Sequence, residues 1–206
     1  GQAAINPGDV VDVRPRPISQ QLAVDFDVAM LGTLSVASRV PTGVYTGLGQ
    51  YSQPLFIRAT RKWLAPGKHS NAASIAATST GDHWRKIFTS ADTNNVFTLI
   101  AKNTDESLIV AVGTDFDAGG DQGILAYSTD YGVTWTEVTA GAVLEGIRPA
   151  SILYDAVHDV WLIGGFGNLT AKIITSTDPT DGASWVSRTT LGTSVVSLVA
   201  TNTNII

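Results

Sequence analysis

The sequence predicts an all-β protein made of repeated four-stranded units, and three observations support that prediction. Of 206 residues, 44% are hydrophobic, only 15% are charged and 20 are glycines, and the abundant Thr, Val and Ile fit a pleated surface. Tryptophan recurs at Trp84, Trp135 and Trp185, in steps of 51 and 50 residues. Each of these tryptophans follows three strand-like segments. A repeat of about 50 residues is typical of propeller blades, so the expected architecture is a β-propeller.

The second repeat shows the four strands most clearly. Short apolar runs bounded by turn residues are typical of strands, and here they fall at 96–101, 107–112, 124–127 and 136–138. The third repeat keeps the order, with strands at 151–154, 160–163 and 172–175. The first repeat is less regular, with segments at 55–58, 62–65 and 73–77. Trp63 and Trp161 then occupy corresponding second strands.

The pattern divides the chain into two parts. Residues 1–50 do not follow the repeat and are predicted to be an N-terminal anchor or docking segment. Residues 51–206 are predicted to be a partial propeller, with blade units near 55–88, 96–138 and 149–188 and the start of a fourth at 195–206. The repeats therefore predict about three blades plus one strand. Because propellers close with 4–8 blades, we expect this chain to be the N-terminal part of a longer polypeptide.

A short motif surrounds each repeated tryptophan. Its best copy runs from Ser128 through Asp130 and Gly132 to Trp135. An aspartate in a tight turn accepts bonds from backbone N–H groups, glycine tolerates a positive φ, and an indole buries a large apolar area. The motif resembles the Asp-box, or BNR repeat, of sialidases and related propellers, which lies between the third and fourth strands of a blade.

The other two copies vary the motif. The third copy carries two extra residues between its aspartate and its glycine, and the first has Ser79 in place of the aspartate. Their matching residues are Ser176, Asp178, Gly182 and Trp185 in the third copy, and Gly81 and Trp84 in the first. The resemblance implies that these residues are structural and that ligands bind at the opposite face. His83 and His158 fall on the motif side, which argues against a catalytic or metal role for either.

Loops at the opposite face supply the candidate binding residues. They are Lys68, His69, Glu145, Arg148 and Asn168. An arginine offers a bidentate fork to a sugar carboxylate or hydroxyl; the alternative is that these are ordinary rim charges. The loop from Thr114 to Gly123 contains Asp115, Asp117 and Asp121. Calcium prefers several oxygens from a curved loop, so a Ca²⁺ site is one hypothesis and a solvated hairpin is the other. No cofactor is required by the sequence.

Composition excludes several classes of protein. A formal net charge of −5 provides no basic field for nucleic acid. The absence of cysteine excludes disulfides and thiolate metal sites. No apolar run reaches the roughly 18 residues needed to span a bilayer.

Three functions remain after these exclusions. The favoured hypothesis is a structural or receptor-binding phage virion component of the tail fibre or tail spike type. It would contact other virion proteins through the N-terminal segment, bind a host surface glycan and form a homo-oligomer. The alternatives are a secreted sialidase-like glycoside hydrolase and a non-catalytic bacterial propeller scaffold, which would be extracellular or on the cell surface. The three glutamates Glu106, Glu137 and Glu145 show no pairing of the kind a retaining glycosidase needs, so an enzymatic role is not the favoured one.

Overall fold

A computed structural model describes residues 53–81, 84–116, 122–138, 144, 146–167, 170–188 and 198. These residues form three four-stranded antiparallel sheets, and within each sheet neighbouring strands follow chain order. Such sheets are the blades of a propeller. The predicted all-β class and four-stranded blades are therefore confirmed.

The blades match the three predicted repeats. Blade 1 contains β1 (Leu55–Ile57), β2 (Lys62–His69), β3 (Ala72–Thr78) and β4 (Arg85–Thr89). Blade 2 contains β5 (Asn95–Lys102), β6 (Ile109–Asp115), β7 (Gln122–Ser128) and β8 (Thr136–Val138). Blade 3 contains β9 (Arg148–Asp155), β10 (Val160–Gly167), β11 (Thr170–Ser176) and β12 (Val186–Arg188), with a short 3₁₀ helix (Gly182–Ser184) before β12.

The core lies between adjacent blades, and strand β6 shows why its sequence reads as an unbroken apolar run. Ile109 and Ala111 pack towards blade 1, while Val110 and Val112 pack towards blade 3. All four are fully buried, because successive side chains of a strand point to opposite faces and both faces are covered here. The middle blade is thus packed on both sides.

Tryptophan positions confirm the register between blades 1 and 3. Trp63 pairs with Phe56 across β1 and β2, with ring centroids 5.0 Å apart. Trp161 pairs with Tyr154 across β9 and β10, with centroids 5.2 Å apart. The same aromatic pair therefore joins the first two strands of both blades, as the alignment of the repeats predicts.

Beta-bulges interrupt the first strands of blades 2 and 3. Thr98 is the extra residue in β5, because Phe97 pairs with Gly113 and Leu99 with Val112. Ala150 is the extra residue in β9. Close backbone approach accompanies each bulge: a Cβ on Gly113 would lie 1.8 Å from the Val96 carbonyl oxygen. Bulges of this kind change the direction in which nearby side chains point.

Two predicted parts lie outside the described residues. They are the N-terminal segment 1–50 and, apart from Leu198, the start of a fourth blade at 195–206. Within the described part of the chain, no helix is long and apolar enough to cross a membrane.

Candidate functional site

Antiparallel strands give each blade two ends, which we call the turn face and the loop face. The turn face carries the connections from first to second strand and from third to fourth strand. The loop face carries the connections from second to third strand and from each blade to the next. The two faces use their polar residues differently.

The turn at 128–135 lies on the turn face. Asp130 Oδ1 accepts hydrogen bonds from the amides of Val133 and Thr134 at 3.0 and 2.8 Å, and Oδ2 accepts one from the Thr134 hydroxyl at 2.6 Å. The Ser128 hydroxyl donates to Asp130 and accepts from the Gly132 amide. Partial burial opposes ionisation of Asp130, but the bonds from Thr134 and Ser128 outweigh it and lower its pKa. Both oxygens of the Asp130 carboxylate therefore accept hydrogen bonds that stabilise the turn.

The repeated tryptophans are anchored in two blades out of three. The Trp135 indole N–H donates to the Gly132 carbonyl at 3.3 Å, and that of Trp84 donates to the Gly81 carbonyl at 3.1 Å. Both glycines have positive φ, of 82° and 84°. In blade 3 the equivalent Gly182 begins the 3₁₀ helix instead. The buried Trp185 N–H consequently has no hydrogen-bond partner within the described residues.

In blade 3, two aspartates accept the hydrogen bonds that a single aspartate accepts in blade 2. Asp178 accepts from the amide and hydroxyl of Thr180, and Asp181 accepts from the Ala183 amide at 2.9 Å, capping the 3₁₀ helix. The Ser176 hydroxyl accepts from the Asp178 amide at 2.9 Å. The third copy is therefore a different turn built from similar residues.

Glu106 joins blade 2 to blade 1 on the turn face. Its Oε2 accepts hydrogen bonds from the amides of Arg58 and Ala59 at 2.7 and 3.1 Å, and its Oε1 pairs with Lys102. Lys102 also donates to the Phe56 carbonyl at 2.8 Å. Desolvation raises the pKa of Glu106, but the Lys102 ammonium and the two amides lower it further, so the net pKa is below its usual value. We call this arrangement the Glu106 clasp.

The first turn of blade 3 carries a third acidic network. Buried Asp155 accepts from the Val157 amide at 2.9 Å and lies 2.6 Å from His158 Nδ1. The His158 contact, followed by the amide bonds, lowers the pKa of Asp155 despite its burial. The Tyr154 hydroxyl donates to Asp159 at 2.7 Å, and this hydrogen bond raises the pKa of Tyr154. His158 thus serves the turn, which agrees with its predicted position on this face.

On the loop face, Lys68 and His69 end strand β2; they do not lie in the loop where the sequence predicts them. The loop contains only Ser70 and Asn71, which have positive φ of 48° and 70°. Two successive positive φ angles match the tight turn that suits a twisted hairpin. Pairing continues to His69 and Ala72, and both Lys68 and His69 are half-buried.

Arg148, the predicted ligand residue of the next loop, begins strand β9 and is exposed. Its guanidinium carbon lies 5.8 Å from the centroid of the Phe116 ring, within cation–π range. Arg148 is also the direct cross-strand partner of Phe166, so these two side chains lie on the same face of the sheet. Phe116 and Phe166 are 46% and 39% exposed.

The remaining predicted ligands are only partly described. Asp115 ends β6, whereas Asp117, Asp121, Glu145 and Asn168 lie outside the described residues. Among described residues, no group of three or more Asp, Glu or His side chains is placed to hold a metal ion. Calcium at 115–121 stays a prediction.

A recess of about 220 Å³ lies between the first strands of blades 2 and 3. We call it the axial recess, and it is lined by Gln53, Thr98, Leu99, Ile100, Ala150, Ser151 and Ile152. The Thr98 and Ser151 hydroxyl oxygens are buried and have no hydrogen-bond partner within the described residues. Both bulge residues, Thr98 and Ala150, line it. The recess is therefore lined by apolar residues and by two residues whose unsatisfied hydroxyl oxygens are buried and not exposed in it.

Comparison with known proteins supports the fold. No protein-family model and no curated protein matches this chain. Among solved structures, a β-fructofuranosidase from Schwanniomyces occidentalis complexed with fructosyl-erythritol is similar, with TM-score 0.52, 15% identity, and coverage of 70% of this chain and 34% of that chain. A chain of a nidogen/laminin complex is also similar, with TM-score 0.52, 13% identity, and coverage of 77% and 55%. This chain thus spans about a third of the enzyme's length, and identities this low show the fold alone.

Sequence reasoning missed the two phenylalanines, the recess hydroxyls and the Glu106 clasp. Phe116 and Phe166 carry a readable signal, because each is a large aromatic beside glycine or aspartate at a strand end. Thr98 and Ser151 carry none, since a hydroxyl residue within an apolar strand is common. The two amides that Glu106 accepts, of Arg58 and Ala59, are 48 and 47 residues distant along the chain, so only the packing of two blades reveals them.

Proposed function

We propose that this chain forms part of a carbohydrate-binding propeller of the glycoside hydrolase kind, with the axial recess holding one sugar unit. The observation that carries the proposal is a recess between two blades whose lining residues include Thr98 and Ser151, each with a buried hydroxyl that has no partner within the described residues. The similar fold of a β-fructofuranosidase supports it. This corresponds to the hydrolase alternative from the sequence.

The chemistry of the recess suits a sugar. Buried hydroxyls without partners are costly, by about 1–3 kcal/mol each. A rotation about χ1 that turned the Thr98 and Ser151 hydroxyls into the recess would let a sugar hydroxyl donate to them and accept from them. Gln53 adds an amide donor and acceptor. The apolar walls, Leu99, Ile100 and Ile152, suit the C–H faces of a sugar ring. A volume of about 220 Å³ is below the ~300–1,000 Å³ typical of drug-sized ligands, which favours a single ring.

Hydrolysis requires two carboxyl groups flanking the scissile bond, roughly 5 to 9.5 Å apart. Asp130, Asp155 and Glu106 are occupied in turns on the turn face. Glu145 is therefore the residue to vary in an activity assay, because the sequence places it on the loop face. Release of reducing sugar by the full-length protein that is lost in Glu145→Gln would assign catalysis to this propeller.

Binding tests the proposal directly. We expect the full chain to bind short neutral fructo-oligosaccharides in a calorimetric titration, and Thr98→Val and Ser151→Ala each to weaken binding about tenfold without lowering stability. Thr60→Val is the matched control, since Thr60 also has a buried hydroxyl without a partner but does not line the recess. Absence of binding to any neutral oligosaccharide, or an equal loss in Thr60→Val, would refute the proposal.

The second candidate is the scaffold role favoured by the sequence, as a virion component assembled through protein contacts. The observation in its favour is the presence of exposed apolar side chains on the turn face: Tyr131, Val133 and Val157 are 40%, 55% and 63% exposed. We expect the full chain to self-associate in sedimentation experiments and Tyr131→Ser with Val157→Ser to shift it towards monomer. A wild-type chain that stays monomeric at high concentration would remove this candidate.

A further inference from the structure

We propose that the turn face binds the turn face of a second copy of this chain, so that blade 1 of each copy meets blade 3 of the other across a two-fold axis. This inference rests on the second candidate above, in which the chain self-associates, and is independent of sugar binding in the axial recess. Three features of the turn face carry it: a basic end on blade 1, an acidic end on blade 3 and an apolar centre on blade 2.

Blade 1 carries an excess of positive charge, although the chain as a whole has a net charge of −5. Between residues 53 and 89 the sequence contains six Lys and Arg residues and one acidic residue, Asp82, which lies outside the described residues. Five of the six are exposed and lie at or beside the turn-face ends of the strands: Arg58, Arg61, Lys62, Arg85 and Lys86. Within the described part of the chain, none of these five side chains forms an ion pair. We call these five residues the basic end.

Blade 3 presents the opposite charge on the same face. Its exposed carboxylates are those of Asp159, Asp178 and Asp181, which we call the acidic end. Each accepts a hydrogen bond from a nearby residue of blade 3, and His158, in the same turn as Asp159, pairs with the buried Asp155. Coulombic attraction between exposed charges acts over about 8–10 Å at moderate ionic strength. The acidic end therefore attracts a basic surface through its charge while its hydrogen bonds continue to hold the turns.

Blade 2 separates the two charged ends, because its two faces pack on blade 1 and on blade 3. Its 128–135 turn exposes 40% of Tyr131 and 55% of Val133, and we call these two residues the apolar centre. The hydrogen bonds of Asp130 hold this turn, so the backbone presents both side chains in a fixed arrangement. Protein interfaces place aromatic and apolar side chains at their core and polar ones at their rim, which is the arrangement found here.

The order basic, apolar, acidic across three consecutive blades is complementary to itself. A two-fold axis through the turn of blade 2 brings two apolar centres together and places each basic end opposite an acidic end, as an isologous interface requires. Opposite charges then fix the orientation, since like charges placed together are costly. An acidic partner of another kind would use the basic end alone and leave Tyr131 and Val133 exposed. The second copy is therefore the partner that accounts for all three features.

The test is sedimentation equilibrium of the full chain and of two charge-reversed variants. We expect wild type to form a dimer whose Kd rises about tenfold when NaCl increases from about 0.05 M to about 0.5 M, because salt screens exposed charges. Lys62→Glu with Arg85→Glu makes the basic end acidic, and Asp159→Lys with Asp181→Lys makes the acidic end basic. Each variant alone should dimerise about a hundredfold more weakly, since like charges then face each other. An equimolar mixture of the two variants should regain the dimer, because both contacts between them are attractive.

Two further variants keep the test interpretable. Lys68→Glu with Lys172→Glu changes the net charge as much as the first variant but lies towards the loop face, so its dimer should match that of wild type. Unfolding temperatures show whether each variant remains folded. If Asp159→Lys with Asp181→Lys does not fold, Ala156→Lys with Ala183→Lys adds positive charge at exposed positions of the same two turns and takes its place.

The outcomes separate this inference from the proposed functions. A wild-type dimer that salt and charge reversal leave unchanged would overturn the pairing of charged ends, while self-association through apolar contacts would stand. Weakened variants that do not recover when mixed would also overturn it, and would assign the basic end to an acidic partner other than this chain. A monomeric wild type would overturn both this inference and the second candidate. Sugar binding is measured separately, by the calorimetric titration of the recess variants.

Discussion

The two ends of the propeller use polar residues in opposite ways. On the turn face, Glu106, Asp130 and Asp155 each accept at least one backbone amide and also contact a side chain of opposite or polar character. On the loop face, Arg148 is exposed between two exposed aromatic rings. A carboxylate that already holds a turn has little capacity left for a ligand. The Phe116 and Phe166 rings on the loop face, in contrast, are 46% and 39% exposed.

This difference shows that the two ends of the repeat hold their polar residues in different ways. On the turn face, the turn before the fourth strand keeps a tryptophan and a glycine in every blade, because each blade must close a similar hairpin. The loop face does not repeat: Lys68 and His69 end one second strand, whereas Phe166 and Gly167 end another. Mutations that lower stability should therefore concentrate on the turn face.

The largest effect on stability is expected at the 128–135 turn. Gly132 has a φ of 82°, and a Cβ there would lie 2.5 Å from Leu64 Cδ1 of blade 1. Gly132→Ala should cost about 3 kcal/mol, from left-handed backbone strain and overpacking together. Gly81→Ala is the control, because φ is 84° but nothing lies within 4 Å, and it should cost about 1 kcal/mol. If urea denaturation shows that the two variants lose the same free energy of unfolding, the contact with Leu64 of blade 1 does not contribute to the cost of Gly132→Ala.

An intermediate effect is expected from the Glu106 clasp. Glu106→Gln removes the charge that pairs with Lys102 and is expected to cost about 2 kcal/mol at pH 7. The folded pKa of Glu106 is lowered, so its contribution is present above the unfolded value of about 4.3 and is lost as pH falls through the folded pKa. Wild-type stability should fall towards that of the variant below about pH 4.

The exposed Glu137 provides the comparison for that measurement. It accepts a long bond of 3.4 Å from the Ala91 amide, in an exposed position. At pH 7, urea denaturation of Glu137→Gln should therefore stay close to that of wild type. If Glu106→Gln retains the full acid dependence of wild type, the clasp is not its source.

The smallest effect separates the two aspartate turns. Asp130→Asn should cost about 1 kcal/mol, because Asp130 accepts two amides and a hydroxyl with charge assistance. Asp178→Asn should cost less, since Asp181 shares the work in blade 3. Thermal unfolding of the two variants shows which of them loses more stability. A larger loss at Asp178 would contradict the description of the third turn.

Much of the fold could be predicted because blades repeat. The spacing of Trp84, Trp135 and Trp185 sets the register, and the apolar run of β6 indicates a strand covered on both faces. The ends of strands were harder to predict from the sequence. Lys68 and His69 belong to β2 because Ser70 and Asn71 form a two-residue turn. A sequence with many Ser, Asn and Gly residues offers several equally good turns, and only pairing selects one.

The sequence alone determined the all-β class and the four-stranded blades, because these depend on local patterns repeated at a fixed period. It also singled out Arg148. The tertiary structure decided what surrounds that arginine, how Glu106 joins two blades and where Thr98 and Ser151 meet. Those features form between residues of different strands and, in most cases, of different blades. Such contacts cannot be inferred from the sequence, because the residues are far apart along the chain.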